Sequence, residues 1–365
     1  MKWEATGALP LLTGVLPPLA AVVILVLAAL FFSGCYTVKQ GTILLGYLGR
    51  ATPLEELAQN PDTGDEAEKN RLFAARALDI RAFAMDELGL QKSKNYTRYV
   101  SLDRDYLAVV VSACAADSFS TRLWHYPVVG ALPYKGFFDP ADARKEAARL
   151  SADGLDVWVR GVDAFSTLGW FKDPLYSYMR EYPVYALADL IIHELLHATV
   201  FIKGQPAFNE QLAEYAGSEG ARLYTLSRFG ENSPEYRRLL SGRHDAAAFA
   251  AFLRGLSAEL DGLYGKTTLD RGAKIAEKER IISAAKTRFA AEYDGRFEND
   301  AYRFFSDLPV NNAYLDLYRL YEADTFFADL AAETGAGLSE FIAAAKLVTG
   351  KNPRQELRER LGIVP

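Results

Sequence analysis

The chain has 365 residues, half of them apolar and about a quarter charged, with a formal net charge of −6. That length holds one large domain or two modest ones with ample core, and the acidic balance argues against nucleic acid or an anionic membrane surface as partner. Composition alone points to no activity.

Residues 5–38 carry no charge, and Leu16 to Phe32 are almost entirely apolar. Such a run is either a signal segment or a membrane helix of about the spanning length. Phe32-Ser33-Gly34-Cys35 follows it directly and resembles a bacterial lipobox, after which Cys35 is lipidated and becomes the mature N-terminus. Phe32 stands where a Leu-like residue is usual and Lys2 is the only basic group ahead of the run, so an uncleaved anchor is the alternative. Both readings place the rest of the chain in the cell envelope, outside the cytoplasmic membrane. With Cys35 lipidated only Cys114 remains, which excludes an intramolecular disulfide. Its apolar surroundings, Leu107 to Ala116, make it a buried and inert thiol.

Pro53 and the Asn60-Pro61-Asp62 turn punctuate a helical layer over residues 41–90, whose main element is an amphipathic helix from about Asp65 to Leu88. From Tyr99 to about Gly169 the pattern becomes β. Leu107 to Val111 reads as a buried strand, Leu123–Val129 and Val157–Phe165 as two more, with a helix over Pro140–Leu150 between them. Tyr134-Lys135-Gly136-Phe137-Phe138 reads as a turn with aromatic packing. His125 reads as a structural histidine rather than a ligand.

The chain then reaches its most informative stretch, Asp189 to Gly220, centred on His193-Glu194-Leu195-Leu196-His197. Two histidines four apart on a helix share a face, about 6 Å apart at Cβ, so their imidazoles can converge on one ion. Glu194 sits beside that face and can take a proton from a metal-bound water. At this composition such a pentad arises by chance on the order of a few times per thousand chains. Apolar residues on both sides (Leu190, Ile191, Ile192, then Leu195, Leu196, Val200, Phe201) predict a buried helix, and Gly204-Gln205-Pro206 predicts a break with Pro206 near the start of the next one. A catalytic zinc usually holds three protein ligands, and Glu210 on an antiparallel second helix can supply the third. Glu214, one turn further, is placed to accept the N–H of a ligand imidazole and fix its tautomer. The competing reading is a buried helix with two incidental histidines beside a solvated acidic helix.

Past Gly220 the pattern is helical: a segment to Phe229, then long amphipathic helices at about His244–Tyr264 and Leu269–Tyr293, with His244 exposed at a helix start. Pro309-Val310-Asn311-Asn312-Ala313-Tyr314-Leu315 opens a further helix carrying Tyr318 and Tyr321. Amide hydrolysis builds negative charge on the carbonyl oxygen, and a neutral tyrosine hydroxyl commonly shares in stabilising it. Tyr314 is the nominee, against a plain aromatic core in a chain with 20 tyrosines. Asn311 and Asn312 read equally as helix caps.

The stretch HELLHATVFIKGQPAFNEQLAEYAG resembles the signature of the putative aminopeptidase family of bacterial lipoproteins, H-E-L-x-H-x-T-x-[FY] followed by F-N-E-x-x-A. It is also similar to the gluzincin metallopeptidases, which take their third ligand from the Glu of an N-E motif. Gly34-Cys35, GVDAFSTLGWFKDP and PVNNAYL extend the resemblance over most of the chain. It implies one Zn2+ held by His193, His197 and Glu210, with Glu194 as base. It also implies an edge strand beside the cleft that pairs with an extended peptide substrate. Ser166, Thr167, Leu168 and Gly169 are assigned that role, the alternative being a plain edge strand whose Trp170 and Phe171 fill the core. The expected protein is a predominantly helical, gluzincin-like α+β domain over residues 35–365, with a small mixed sheet. Its expected activity is that of a membrane-anchored zinc aminopeptidase in the cell envelope, with Glu214 or Glu219 available to the substrate ammonium. A zinc endopeptidase and a non-catalytic peptide-binding lipoprotein are the rivals.

Overall fold

The computed structural model describes residues 34–126, 130–162, 173–320 and 325–363. The chain divides into two compact units, residues 1–49 and 50–365. The described part of the first is helix α1 (Gly34–Gly49), with Cys35 in its first turn. The apolar run Leu16–Phe32 lies outside the described residues, and among those described no helix is long and apolar enough to cross a membrane.

The second unit is α+β and predominantly helical. Its first half runs β1 (Thr52–Pro53), α2 (Leu54–Ala58), α3 (Asp65–Asp86), β2 (Arg98–Val100), β3 (Ala108–Ala115), β4 (Trp124–Tyr126), β5 (Gly130–Leu132), β6 (Lys135–Phe137), α4 (Pro140–Ala152), β7 (Leu155–Val162) and β8 (Leu175–Tyr176). After a 3-10 turn come α5 (Val184–His197), α6 (Pro206–Phe229), α7 (Pro234–Tyr264), α8 (Arg271–Arg296), a second 3-10 turn (Asp300–Ser306), α9 (Asn312–Leu320), α10 (Phe326–Thr334), α11 (Leu338–Ala345) and α12 (Pro353–Arg360).

The run Val109-Val110-Val111 is β-branched and buried throughout, as suits the central strand of a covered sheet. β3 indeed lies between β6 and β7, antiparallel to both, with Val110 opposite Gly136 and Arg160, and α4 and α9 both pack against it. The aromatic turn expected at Tyr134–Phe138 is therefore in part a strand. Three paired residues leave no room for the alternation that marks a strand in sequence. Cys114 is fully buried on β3, and burial pushes its thiol up to about 12, with Asp316 and Asp156 adding to the shift. A second sheet has the order β1-β2-β8, with β2 and β8 parallel and Tyr99 opposite Leu175.

Helix α5 explains itself by period. Leu187, Ile191 and Leu195 form one buried stripe, and Ala188, Ile192 and Leu196 form the next. The third stripe, Asp189, His193 and His197, is left to line a polar face. α5 and α6 make the most extensive helix pair among the described residues. Gly217 of α6 permits their close approach: a Cβ there would stand 3.0 Å from both the Asp189 carbonyl oxygen and His193 Cβ.

α7 begins at Pro234, where the Ser233 side chain accepts from the Tyr236 N–H. His244 consequently lies inside a 31-residue helix rather than at its start. The C-terminal half has its own aromatic core, in which Phe249, Phe252, Phe289 and Phe305 meet edge to face.

Candidate metal centre

α5 ends at His197, and the chain turns back through residues 198–205 into α6. Gly204 takes a φ of 79°, a left-handed conformation open to glycine at little cost, and Pro206 occupies the first turn of α6. Two polar side chains hold this loop. Thr199 donates its hydroxyl to the Leu195 carbonyl and accepts the Gln91 N–H. Asn209, 3% exposed, grips Ile202 from both sides: its Oδ1 accepts the Ile202 N–H at 2.9 Å, and its Nδ2 donates to the Ile202 carbonyl at 2.9 Å. Glu210 is the next residue, so the clamp fixes where the carboxylate leaves α6.

The three expected ligands come together. His193 Nε2 and His197 Nε2 are 3.2 Å apart, Glu210 Oε2 is 3.8 Å from the first, and Glu210 Oε1 is 3.5 Å from the second. Zinc–ligand bonds of about 2.0–2.1 Å at tetrahedral angles require donor separations of about 3.3 Å. The donor set, two imidazoles and a carboxylate, and its spacing both fit that ion.

Electrostatics leave these donors ready for a cation. Burial, with the His197 charge, pulls His193 down to about 4 against the pull of Glu210, so its imidazole is neutral near pH 7. The hydrogen bond and charge of His197 hold the Glu210 carboxyl below its ordinary value. Burial also works against a charged His197, yet Glu210 and Glu194 outweigh it and its pKa rises. Glu194 is pushed up to about 7, by burial first, then by Asp173 and Glu210, with His197 opposing. It is thus the weakest carboxylic acid of the group and the one best able to take and return a proton near neutrality.

Other expected residues fall elsewhere. Tyr314 is buried in the C-terminal aromatic core, 4.8 Å edge to face from Trp158, and its hydroxyl is 3.4 Å from that of Tyr318. Asn311 caps its helix, the side-chain oxygen accepting the Tyr314 N–H. Glu214 is exposed on α6, where its charge acts on Asp189. The Glu219 carboxylate is taken up by both Nε and Nη2 of Arg222. His125 is exposed on β4. Ser166, Thr167, Leu168 and Gly169, and likewise Tyr321, lie outside the described residues, and of the Cys35 side chain nothing is described.

Gly217 and Asp173 were not singled out from sequence, and Asn209 was noted only as part of the N-E motif, without a role of its own. A family model described as "Putative aminopeptidase" matches residues 35–361. No curated protein and no solved structure matches the chain.

Proposed function

We propose that this chain, which belongs to the Putative aminopeptidase family, is a zinc-dependent peptidase whose metal is held by His193, His197 and Glu210. The observation that carries the reading is the 3.2 Å separation of the two Nε2 atoms with both oxygens of Glu210 turned towards them. When bound there, zinc supplies a Lewis acid and brings the pKa of its water towards about 7. The rest of the chemistry belongs to the chain. The Glu194 carboxylate accepts a proton from the attacking water and passes it to the departing amine, a role suited to a group poised near neutrality. The Asn209 clamp and the Gly217 contact keep the two helices at the spacing the donors need. Lipidation of Cys35 would tether this activity in the cell envelope.

Metal analysis of the purified chain and turnover of aminoacyl and internally quenched peptides, with and without chelator, test the proposal. The expectation is one zinc per chain, cleavage from free N-termini, and loss of turnover in Glu194→Gln with zinc retained. Equal activity in that variant removes Glu194 from the mechanism, and a metal-free chain that still cleaves removes zinc.

A further inference from the structure

Three loop segments meet beside the candidate metal centre and hold one another by hydrogen bonds. Residues 198–205 join the helix of His193 and His197 to that of Glu210. Thr199 Oγ1 accepts the Gln91 N–H at 3.0 Å, which ties in residues 89–94. Gln205 Nε2 donates to the Lys351 carbonyl at 3.0 Å, which ties in residues 346–352. Lys346 closes the ring by donating from its ammonium to the Gly89 carbonyl.

These 21 residues carry five lysines, Lys92, Lys94, Lys203, Lys346 and Lys351, and no acid, in a chain whose 47 acidic residues outnumber its 41 lysines and arginines. All five are exposed, and among the described residues the ammoniums of Lys92, Lys94, Lys203 and Lys351 have no ion pair or hydrogen bond. Acids bordering the segments are engaged: Glu87 by Arg228 at 3.1 Å, Glu356 by the Gly350 N–H at 2.6 Å and by Arg360, and Glu210 by the two histidines. The local balance is thus the reverse of the global one, and a surface of that kind draws in and concentrates anions. Phe201, 68% exposed, and Leu347, 58% exposed, stand on the same segments. Apolar groups set among ammoniums suit a chain with both acidic and apolar side chains better than a free inorganic anion.

We infer that this ring of loops is a docking platform for acidic peptides, so that the substrates of the centre are peptides with Asp or Glu near the scissile bond. The inference rests on the peptidase reading above. Position decides for a peptide over an anionic bilayer: residues 198–205 connect the ligand-bearing helices directly, and whatever docks on them lies beside the metal ligands. The lysines draw the acidic segment in and hold it, and they take no part in breaking the bond. Their effect therefore falls on KM and on its salt dependence.

The test compares Glu-containing peptides with their Gln counterparts, using the zinc-loaded full chain and the triple variant Lys92→Gln/Lys203→Gln/Lys351→Gln, which keeps the Lys346 contact. Wild type should favour the Glu peptides about 10- to 100-fold in kcat/KM, through KM, with most of the preference lost at about 0.5 M salt. The triple variant should show less than about 3-fold preference even at low salt. Lys69→Gln/Lys145→Gln/Lys266→Gln removes the same charge elsewhere and should keep the wild-type ratio. Anisotropy of a fluorescent Glu-rich peptide on the Glu194→Gln chain should report the same contrast without turnover. A wild-type preference below about 3-fold, a preference carried by kcat alone, or a triple variant that keeps the wild-type ratio would each overturn the inference. If that variant keeps the ratio yet loses binding to phosphatidylglycerol vesicles, the lysines belong to a membrane surface instead. A zinc-loaded chain that turns over neither peptide sinks the peptidase reading and this substrate class with it, whereas turnover without preference sinks the substrate class alone.

Discussion

Removing the Asn209 amide should loosen the loop and the metal together. In Asn209→Ala both polar groups of Ile202, itself only 8% exposed, lose the partners they have at 2.9 Å. The Ile202 carbonyl keeps the Gln205 N–H at 3.2 Å, so the Ile202 N–H is the group left unsatisfied, at a cost of about 1–3 kcal/mol. Urea denaturation in the presence of chelator measures that loss on the metal-free chain. Competition with a chromophoric chelator then measures zinc affinity, expected to weaken about 10- to 100-fold because Glu210 loses its anchored starting point. Asn209→Asp separates the two halves of the clamp: a carboxylate can still accept the Ile202 N–H but cannot donate to its carbonyl. A metal-free Asn209→Ala chain within about 0.5 kcal/mol of wild type would refute the energetic argument. A large stability loss with unchanged zinc affinity would show that the clamp serves the fold and not the ligand.

Two further predictions concern the helix pair. Gly217→Ala places a Cβ 3.0 Å from backbone on α5, which should destabilise the chain by about 1–3 kcal/mol and weaken zinc binding, whereas Gly255→Ala, inside α7 with nothing within 4 Å, should leave zinc binding unchanged and raise stability by about 0.5–1 kcal/mol. Equal behaviour of the two variants in thermal melts would show that α5 and α6 are not in intimate contact at Gly217. Asp189 is pushed from 3.8 up to about 6, by burial first and by Glu214, with Arg243 opposing. The folded chain therefore holds this proton more tightly than the unfolded one. Its contribution is complete below about 3.8 and is lost as pH rises through about 6. Asp189→Asn should consequently be more stable than wild type above pH 6, by up to ~3 kcal/mol, with the difference closing towards pH 4. Chelator-treated urea midpoints across that range check it, and a gap that widens on acidification would contradict the sign.

The proposed metal ligands were legible because their signal is periodic and local. Two histidines four apart need only a helix to meet, and a turn marked by glycine and proline brings Glu210 back. The clamp was hidden because the partner of Asn209 is backbone, and backbone hydrogen bonding leaves no trace in residue identity. α7 starts at the cap signal Ser233-Pro234 and not near His244, and Gly242 just before His244 marks no boundary. That glycine instead makes room for the Tyr185 hydroxyl, which a Cβ would approach to 2.7 Å. Tyr314 shows the limit of position within a motif. A helix start can aim a side chain outward or inward, and here Trp158 and Phe305 receive it.

All three donors belong to α5 and α6, which a short loop joins and which form the most intimate helix pair described. Closing so small a stretch of chain costs little entropy, and neighbouring helices find each other early when a polypeptide collapses. An ion could therefore be captured by this hairpin before the sheets or the C-terminal helices have docked, and the later layers would assemble around a centre already loaded. On the proposed zinc reading, new chains would then compete for the ion while they fold, not after.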